Sequence, residues 1–235
     1  MIITNSISPS GLDFRPMSNL SYPKAVLWDM DGTLVDSEPY WLLSESKLAS
    51  DYGRVWTEEN GHELIGKSLY DASAILKDRL DIQDLSIQEV IDRMTDEVVS
   101  NLRTKLPWRP GALEILMELK QAGVKTALVT MSMRRMALAV VEAIPFRAFD
   151  VVVAGDDVTF GKPHPEPYDK AAKLLGFDPA DCIAFEDSVT GLRSAEASGA
   201  LPIGVTNLMP LPATGNRIII DSLTQVSLDW LKGLR

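Results

Sequence analysis

Residues 24–38 read KAVLWDMDGTLVDSE: an apolar run that ends in two aspartates one residue apart, then a glycine, a threonine and two more acids. The stretch KAVLWDMD (24–31) has the length and composition of a buried parallel strand. Carboxylates at the end of such a strand face desolvation and mutual repulsion, so something must offset both. Alternate side chains of a strand share a face, which would put Asp29 and Asp31 on the same side of its C-terminal end. In open α/β sheets that end is where ligands bind. Gly32 allows a sharp turn there and brings backbone N–H groups toward an anion. Asp-Gly is also a common turn signal, and Asp-x-Asp-Gly occurs in calcium loops, but the residues that follow lack the ligand spacing of an EF-hand.

Further along, KTALVTM (125–131), DVVVAGD (150–156), CIAFED (182–187), PIGVT (202–206) and RIIID (217–221) are apolar runs of the same kind. Helical patterns separate them: GALEILMELKQAG, EPYDKAAKLLG and SVTGLRSAEASG stop at Gly123, Gly176 and Gly199. This alternation predicts a doubly wound, Rossmann-like α/β core with a parallel sheet. Residues 38–106 break the rhythm. They contain no comparable Val/Ile-rich run, whereas YWLLSESKLASDYG, SLYDASAILKDRL and SIQEVIDRMTDEVVSNLR pattern as amphipathic helices. The expected organisation is a core of 20–37 and 107–235 with an all-helical cap of 38–106 inserted after the first strand. Prolines in DSEP and KLPWRPG mark the flanks as expected hinges. Residues 1–19 form a polar arm, expected to be disordered.

A formal charge of −10 argues against nucleic acid or an anionic membrane as partner, and no stretch approaches the length of a membrane span. The single cysteine, Cys182, excludes an internal disulfide and fits a reducing cytoplasm. It is expected to be a buried strand residue. With only His62 and His164, far apart, and no nucleophilic serine motif, a hydrolase triad has little support; His164 is expected to shape the loop around Lys162.

Three more strand ends carry polar groups. LVTMS places Thr130 at one, GKPHPEPY places Lys162 in a Pro-rich loop before a helix, and AFEDS places Glu186 and Asp187 at another. Each alone is unremarkable, since a terminal Thr often caps and a loop Lys is usually solvated. Together, in this order, DMDGTLVDSE, VTMS, GKPHPEPY and FEDSVTGLRSAEASGA resemble the phosphatases of the haloacid dehalogenase superfamily that carry a helical cap, over about residues 22–207.

That resemblance implies roles for specific residues. Asp29 would be the nucleophile that forms an aspartyl phosphate, and Asp31 the acid that protonates the departing alkoxide and then the base that activates water. Mg²⁺ would be held by the Asp29 carboxylate, the Asp31 backbone carbonyl, Asp187, and Glu186 directly or through water. Thr130, Lys162 and N–H groups near Asp31, Gly32 and Met131 would hold the phosphate. The implied enzyme is a cytoplasmic monomer acting on a small phosphorylated metabolite. Its second Asp separates it from dehalogenases and phosphonate hydrolases, which lack that residue. A phosphosugar mutase of the β-phosphoglucomutase type keeps all four motifs, but carries a His where this chain has Trp41 and an Arg where GKSLYD offers Leu69. DSEPYW instead resembles the phosphatases acting on 2-deoxyglucose 6-phosphate and hexitol phosphates. Trp41 would stack on a sugar face and Lys67 would meet a polar group from the cap, although a helical Trp is more often core and a Lys more often solvated. A non-catalytic ligand binder would have no use for the Asp29 and Asp31 pair.

Overall fold

A computed structural model describes residues 22–234; the N-terminal arm, 1–19, lies outside the described residues. The chain begins with strand β1 (Ala25–Trp28) and continues through four helices, α1 (Glu38–Asp51), α2 (Glu58–His62), α3 (Leu69–Arg79) and α4 (Ile87–Thr104). It then alternates: α5 (Ala112–Gln121), β2 (Lys125–Val129), α6 (Arg134–Glu142), β3 (Val151–Val153), α7 (Glu166–Leu175), β4 (Cys182–Glu186), α8 (Val189–Ser198), β5 (Leu201–Val205), β6 (Ile218–Ile220) and α9 (Leu228–Lys232). The strands pair in parallel in the order β3-β2-β1-β4-β5-β6. All six apolar runs are strands, and the order is that of the Rossmann type, whose direction of progression reverses between β1 and β4.

β1 shows why the sheet forms. Val26 and Trp28 enter one apolar cluster while Ala25 and Leu27 enter another on the opposite face, so every residue of the strand is buried. Register places Trp28 beside Phe185, and their rings stack 4.3 Å apart. Glycines at positive φ follow α7 and α8, as the sequence pattern requires, with Gly176 at 84° and Gly199 at 91°.

The four helices between β1 and α5 have a core of their own, built on Leu48, Trp56, Leu76, Leu80, Ile82, Val90 and Met94. Ser68 and Ser86 cap α3 and α4, the latter with Glu89 in a reciprocal capping box. The opposite end of α4 places Val98, Val99 and Leu102 in the core under the sheet. On α6, Arg135 pairs with Asp92 (2.8 Å) and Asp96 (2.9 Å) of α4. The two linkers run side by side: Asp36 N donates to Pro107 O (2.9 Å) and Arg109 N to Leu34 O (2.8 Å). Pro39, expected in a hinge, instead lies in the first turn of α1, where its missing N–H has no helical acceptor to lose.

Leu76 is fully buried in the helical insertion. Leu76→Ala is expected to lower stability by about 3 kcal/mol, through lost burial and the cavity left behind. Urea unfolding checks this; a loss below about 1 kcal/mol would show that the site collapses instead of holding a cavity.

Candidate active site

Loops at the C-terminal ends of β1, β2 and β4 converge. β1 ends at Trp28, short of the strand through residue 31 that the sequence suggests, because the following segment folds back. Leu34 N and Val35 N both donate to Met30 O (3.0 Å each), and Gly32 N donates to Val35 O (2.7 Å). A loop therefore brings Asp29 and Asp31 together, where strand pleating was expected to do so. The N–H of Gly32, expected to face an anion, is engaged with Val35. Gly32 contributes space and conformation instead: φ is 80°, and a Cβ would lie 1.9 Å from Asp187 Oδ2.

Asp29 is 7% exposed. Its Oδ2 accepts from Thr33 Oγ1 (2.8 Å) and its Oδ1 from Lys162 Nζ (2.8 Å). Asp31 accepts from Ser37 Oγ at Oδ1 (2.6 Å), and from Thr130 Oγ1 (3.0 Å) and Ser132 Oγ (2.7 Å) at Oδ2. Thr130, just past β2, also accepts from Ser132 N (3.0 Å). Lys162 Nζ lies 2.6 Å from Glu186 Oε1 and donates to Val129 O (2.9 Å). Glu186, 1% exposed, accepts from Tyr168 Oη (2.6 Å) and Ser188 Oγ (3.2 Å). Gly191, in the first turn of α8, leaves room for that carboxylate, since a Cβ would lie 1.9 Å from its Cδ. Asp187 accepts from Asn207 Nδ2 (3.0 Å).

These groups border a cavity of about 520 Å³. Asp29, Asp31, Gly32, Thr130, Met131, Lys162 and Asp187 line it from the sheet, and Trp41 and Lys67 from the helical insertion. Glu186 lies beneath this lining, held by Tyr168 and Lys162.

The charges explain one another. Burial raises the Asp29 carboxyl well above its usual range and Glu186 adds to this, while Lys162 opposes it. Burial alone would depress the Lys162 ammonium, but Asp29 and Glu186 hold it above its ordinary value. Burial pushes Asp187 up to about 7 against the Asn207 hydrogen bond, with Glu186 and Asp31 contributing. One ammonium does not balance these acids. Asp29, Glu186 and Asp187 can each offer an oxygen within 4.8 Å of the others, a hard donor set suited to a divalent cation such as Mg²⁺.

The family model for haloacid dehalogenase-like hydrolases matches residues 23–199. The chain belongs to this hydrolase family. It is 33% identical over 177 residues to a phosphorylated carbohydrates phosphatase of Thermotoga maritima, covering 75% of this chain and 82% of the relative. It is 28% identical over 218 residues to hexitol phosphatase B of Escherichia coli K12, covering 89% and 96%. A crystal structure described as a putative beta-phosphoglucomutase from Thermotoga maritima superposes with a TM-score of 0.70 at 30% identity, covering 90% of this chain and 99% of that one.

Several residues of the hydrolase site have no sequence signal of their own. Ser37, Ser132 and Tyr168 sit inside stretches already singled out, yet their pairing with Asp31 and Glu186 appears only when distant loops meet. Asn207 follows β5 with nothing local to mark it. Cys182 is buried in β4, as expected. His164 accepts from Glu166 N (3.2 Å) and its ring lies 4.8 Å from that of Phe160, consistent with shaping the loop near Lys162.

An acid whose folded pKa is raised loses folded-state stability as pH climbs from its unfolded to its folded value. With metal chelated, Asp187 is expected to make the thermal midpoint fall as pH rises from about 4 to about 7. Asp187→Asn should flatten that slope, and magnesium should raise the wild-type midpoint at neutral pH. Parallel pH profiles for the two proteins would contradict the assignment.

Proposed function

We propose that this hydrolase is a magnesium-dependent phosphomonoesterase acting on a sugar or sugar-alcohol phosphate through an aspartyl phosphate on Asp29. The observation that carries this reading is the placement of two carboxylates in one cavity under opposite regimes. Asp29 is locked by Lys162 and Thr33, whereas Asp31 is held by three hydroxyls and, among the described residues, pairs with no ammonium. A locked, lysine-paired carboxylate suits a nucleophile, and a hydroxyl-bound one suits a group that must gain and lose a proton.

In the first step an Asp29 oxygen bonds to phosphorus as the bond to the leaving oxygen breaks, and Asp31 gives that oxygen its proton. In the second, Asp31 takes a proton from water as the water oxygen attacks phosphorus, freeing phosphate and restoring Asp29. Lys162 holds negative charge at Asp29 and Glu186, and Thr130 orients Asp31 and, with Met131, borders the phosphate position. Asp29, Glu186, Asp187 and the Asp31 carbonyl would hold Mg²⁺, which when bound supplies positive charge for the phosphate oxygens.

Residues 38–106 act as a cap over a core of 20–37 and 107–235. Trp41 borders the cavity while packing against the insertion's own core and the sheet cluster that holds Val26 and Trp28, and it would stack on a sugar from there; Lys67 is exposed at the same wall. The names of the two phosphatase relatives support a carbohydrate or hexitol substrate. Trp41 and Leu69 both line the cavity where mutases carry a His and an Arg, which favours hydrolysis over isomerisation. The acidic chain with its one buried cysteine suits the reducing cytoplasm.

Phosphate release from a panel of sugar and polyol phosphates with magnesium, run beside conversion of β-glucose 1-phosphate to glucose 6-phosphate, tests this function. Release from a hexose or hexitol phosphate, lost in EDTA, is expected; isomerisation with little release would make the protein a mutase. Asp29→Asn is expected to lower kcat at least about 10³-fold while the circular dichroism spectrum stays native. Substantial magnesium-dependent activity in that variant would remove Asp29 from the mechanism.

A further inference from the structure

Glu38, Trp41 and Glu45 lie at positions i, i+3 and i+7 of α1 and all face the cavity. Glu45 is the unusual member. It is only 7% exposed, and no lysine or arginine pairs with it among the described residues. Its Oε2 accepts from Trp56 Nε1 at 2.9 Å, while among the described residues no hydrogen bond reaches Oε1. Gly61 of α2 admits this arrangement, since a Cβ there would lie 3.1 Å from Glu45 Oε2 and 2.5 Å from Leu42 Cδ1. The carboxyl is thus clamped from behind by an indole N–H and by packing, with one oxygen left on the cavity side.

Oε1 is absent from the buried polar atoms that lack a partner, so solvent reaches it through the cavity Glu45 lines, and a ligand hydroxyl can take that water's place. Burial pushes Glu45 up to about 7, against the Trp56 hydrogen bond and with Glu38 adding to the rise. A carboxyl in either protonation state can bond a hydroxyl: the ionised form accepts and the neutral form donates. An anion is matched by the neutral form alone and repelled by the ionised one. It would face the charges of Glu38 and Glu45, with the exposed Lys67 as the cation on that wall.

We infer that Glu45 is a specificity residue that reads the far end of the leaving group, bonding a hydroxyl of a neutral polyol and excluding substrates with a second anionic group there. This rests on the phosphatase reading above and narrows its substrate class to monophosphates of uncharged polyols.

A matched pair tests it: a hexitol 6-phosphate and the corresponding aldonate 6-phosphate, whose far carbon bears a carboxylate in place of CH₂OH, with an aryl phosphate whose leaving group carries neither a hydroxyl nor a charge at its far end. Above about pH 8, where Glu45 is ionised, wild-type enzyme is expected to favour the hexitol by at least about thirtyfold in kcat/KM, since like charges are then brought together in the cavity. Glu45→Gln keeps an acceptor for Trp56 but removes the charge, and is expected to narrow that preference about tenfold, mainly through KM for the aldonate. Equal acceptance of both compounds by the wild type would overturn the inference without recourse to any variant. So would an unchanged ratio in Glu45→Gln, or an equal fall on all three compounds, which would mark Glu45 as an anchor for Trp56 alone. In each of those cases phosphate release by the wild type leaves the phosphatase reading standing. Absence of release from all three compounds overturns that reading, and this inference with it.

Discussion

The site depends on a buried ammonium. Lys162 Nζ sits 2.8 Å from Asp29 and 2.6 Å from Glu186, with its side chain 5% exposed, and donates to the last carbonyl of β2. Those contacts tie the ends of β1, β2 and β4 to the loop that precedes α7. Removing a partner from such a buried pair leaves an uncompensated charge, which is far worse than losing a surface ion pair. The same ammonium leaves the acid cluster under-neutralised, and that residual charge is what makes the cluster suited to a divalent cation. Tyr168 and Ser188 hold Glu186 from below, and Asn207 holds Asp187, so the acids are positioned before any ligand arrives.

Much of this was legible in the sequence, for a physical reason. A doubly wound sheet buries both faces of each central strand, so its strands stand out as continuous apolar runs, and all six did. Helices without local punctuation were harder to see. α6 lacks a side-chain N-cap bond and a terminal glycine, and α2 is five residues long, too short for its periodicity to register. The acids of the site were visible because carboxylates at the end of an apolar strand are costly unless something offsets them. Their hydroxyl partners were not: Ser132 lies 101 residues from Asp31, and only the register of β1 beside β2 brings the two together. The position where β1 ends, and with it the engaged N–H of Gly32, depends on how the loop folds back on Met30 and Val35, which a strand pattern does not encode.

The helical insertion divides the labour. Its inner cluster keeps four helices together, and the far end of α4 shares the core beneath the sheet. Trp41 illustrates the overlap between packing and the cavity wall: it touches the insertion's core and one of the two sheet clusters and also borders the cavity, so one side chain can support the insertion and present a ring to a ligand.

The proposed mechanism requires a covalent bond between Asp29 and phosphorus, and that bond can be trapped. The enzyme would be mixed with a hexitol phosphate and magnesium, quenched in acid during turnover, reduced with borohydride and mapped by peptide mass. The expected result is reduction of the acyl group to the alcohol at Asp29, absent without substrate. Steady phosphate release with no reduced residue at Asp29, or with the label at another carboxylate, would contradict it.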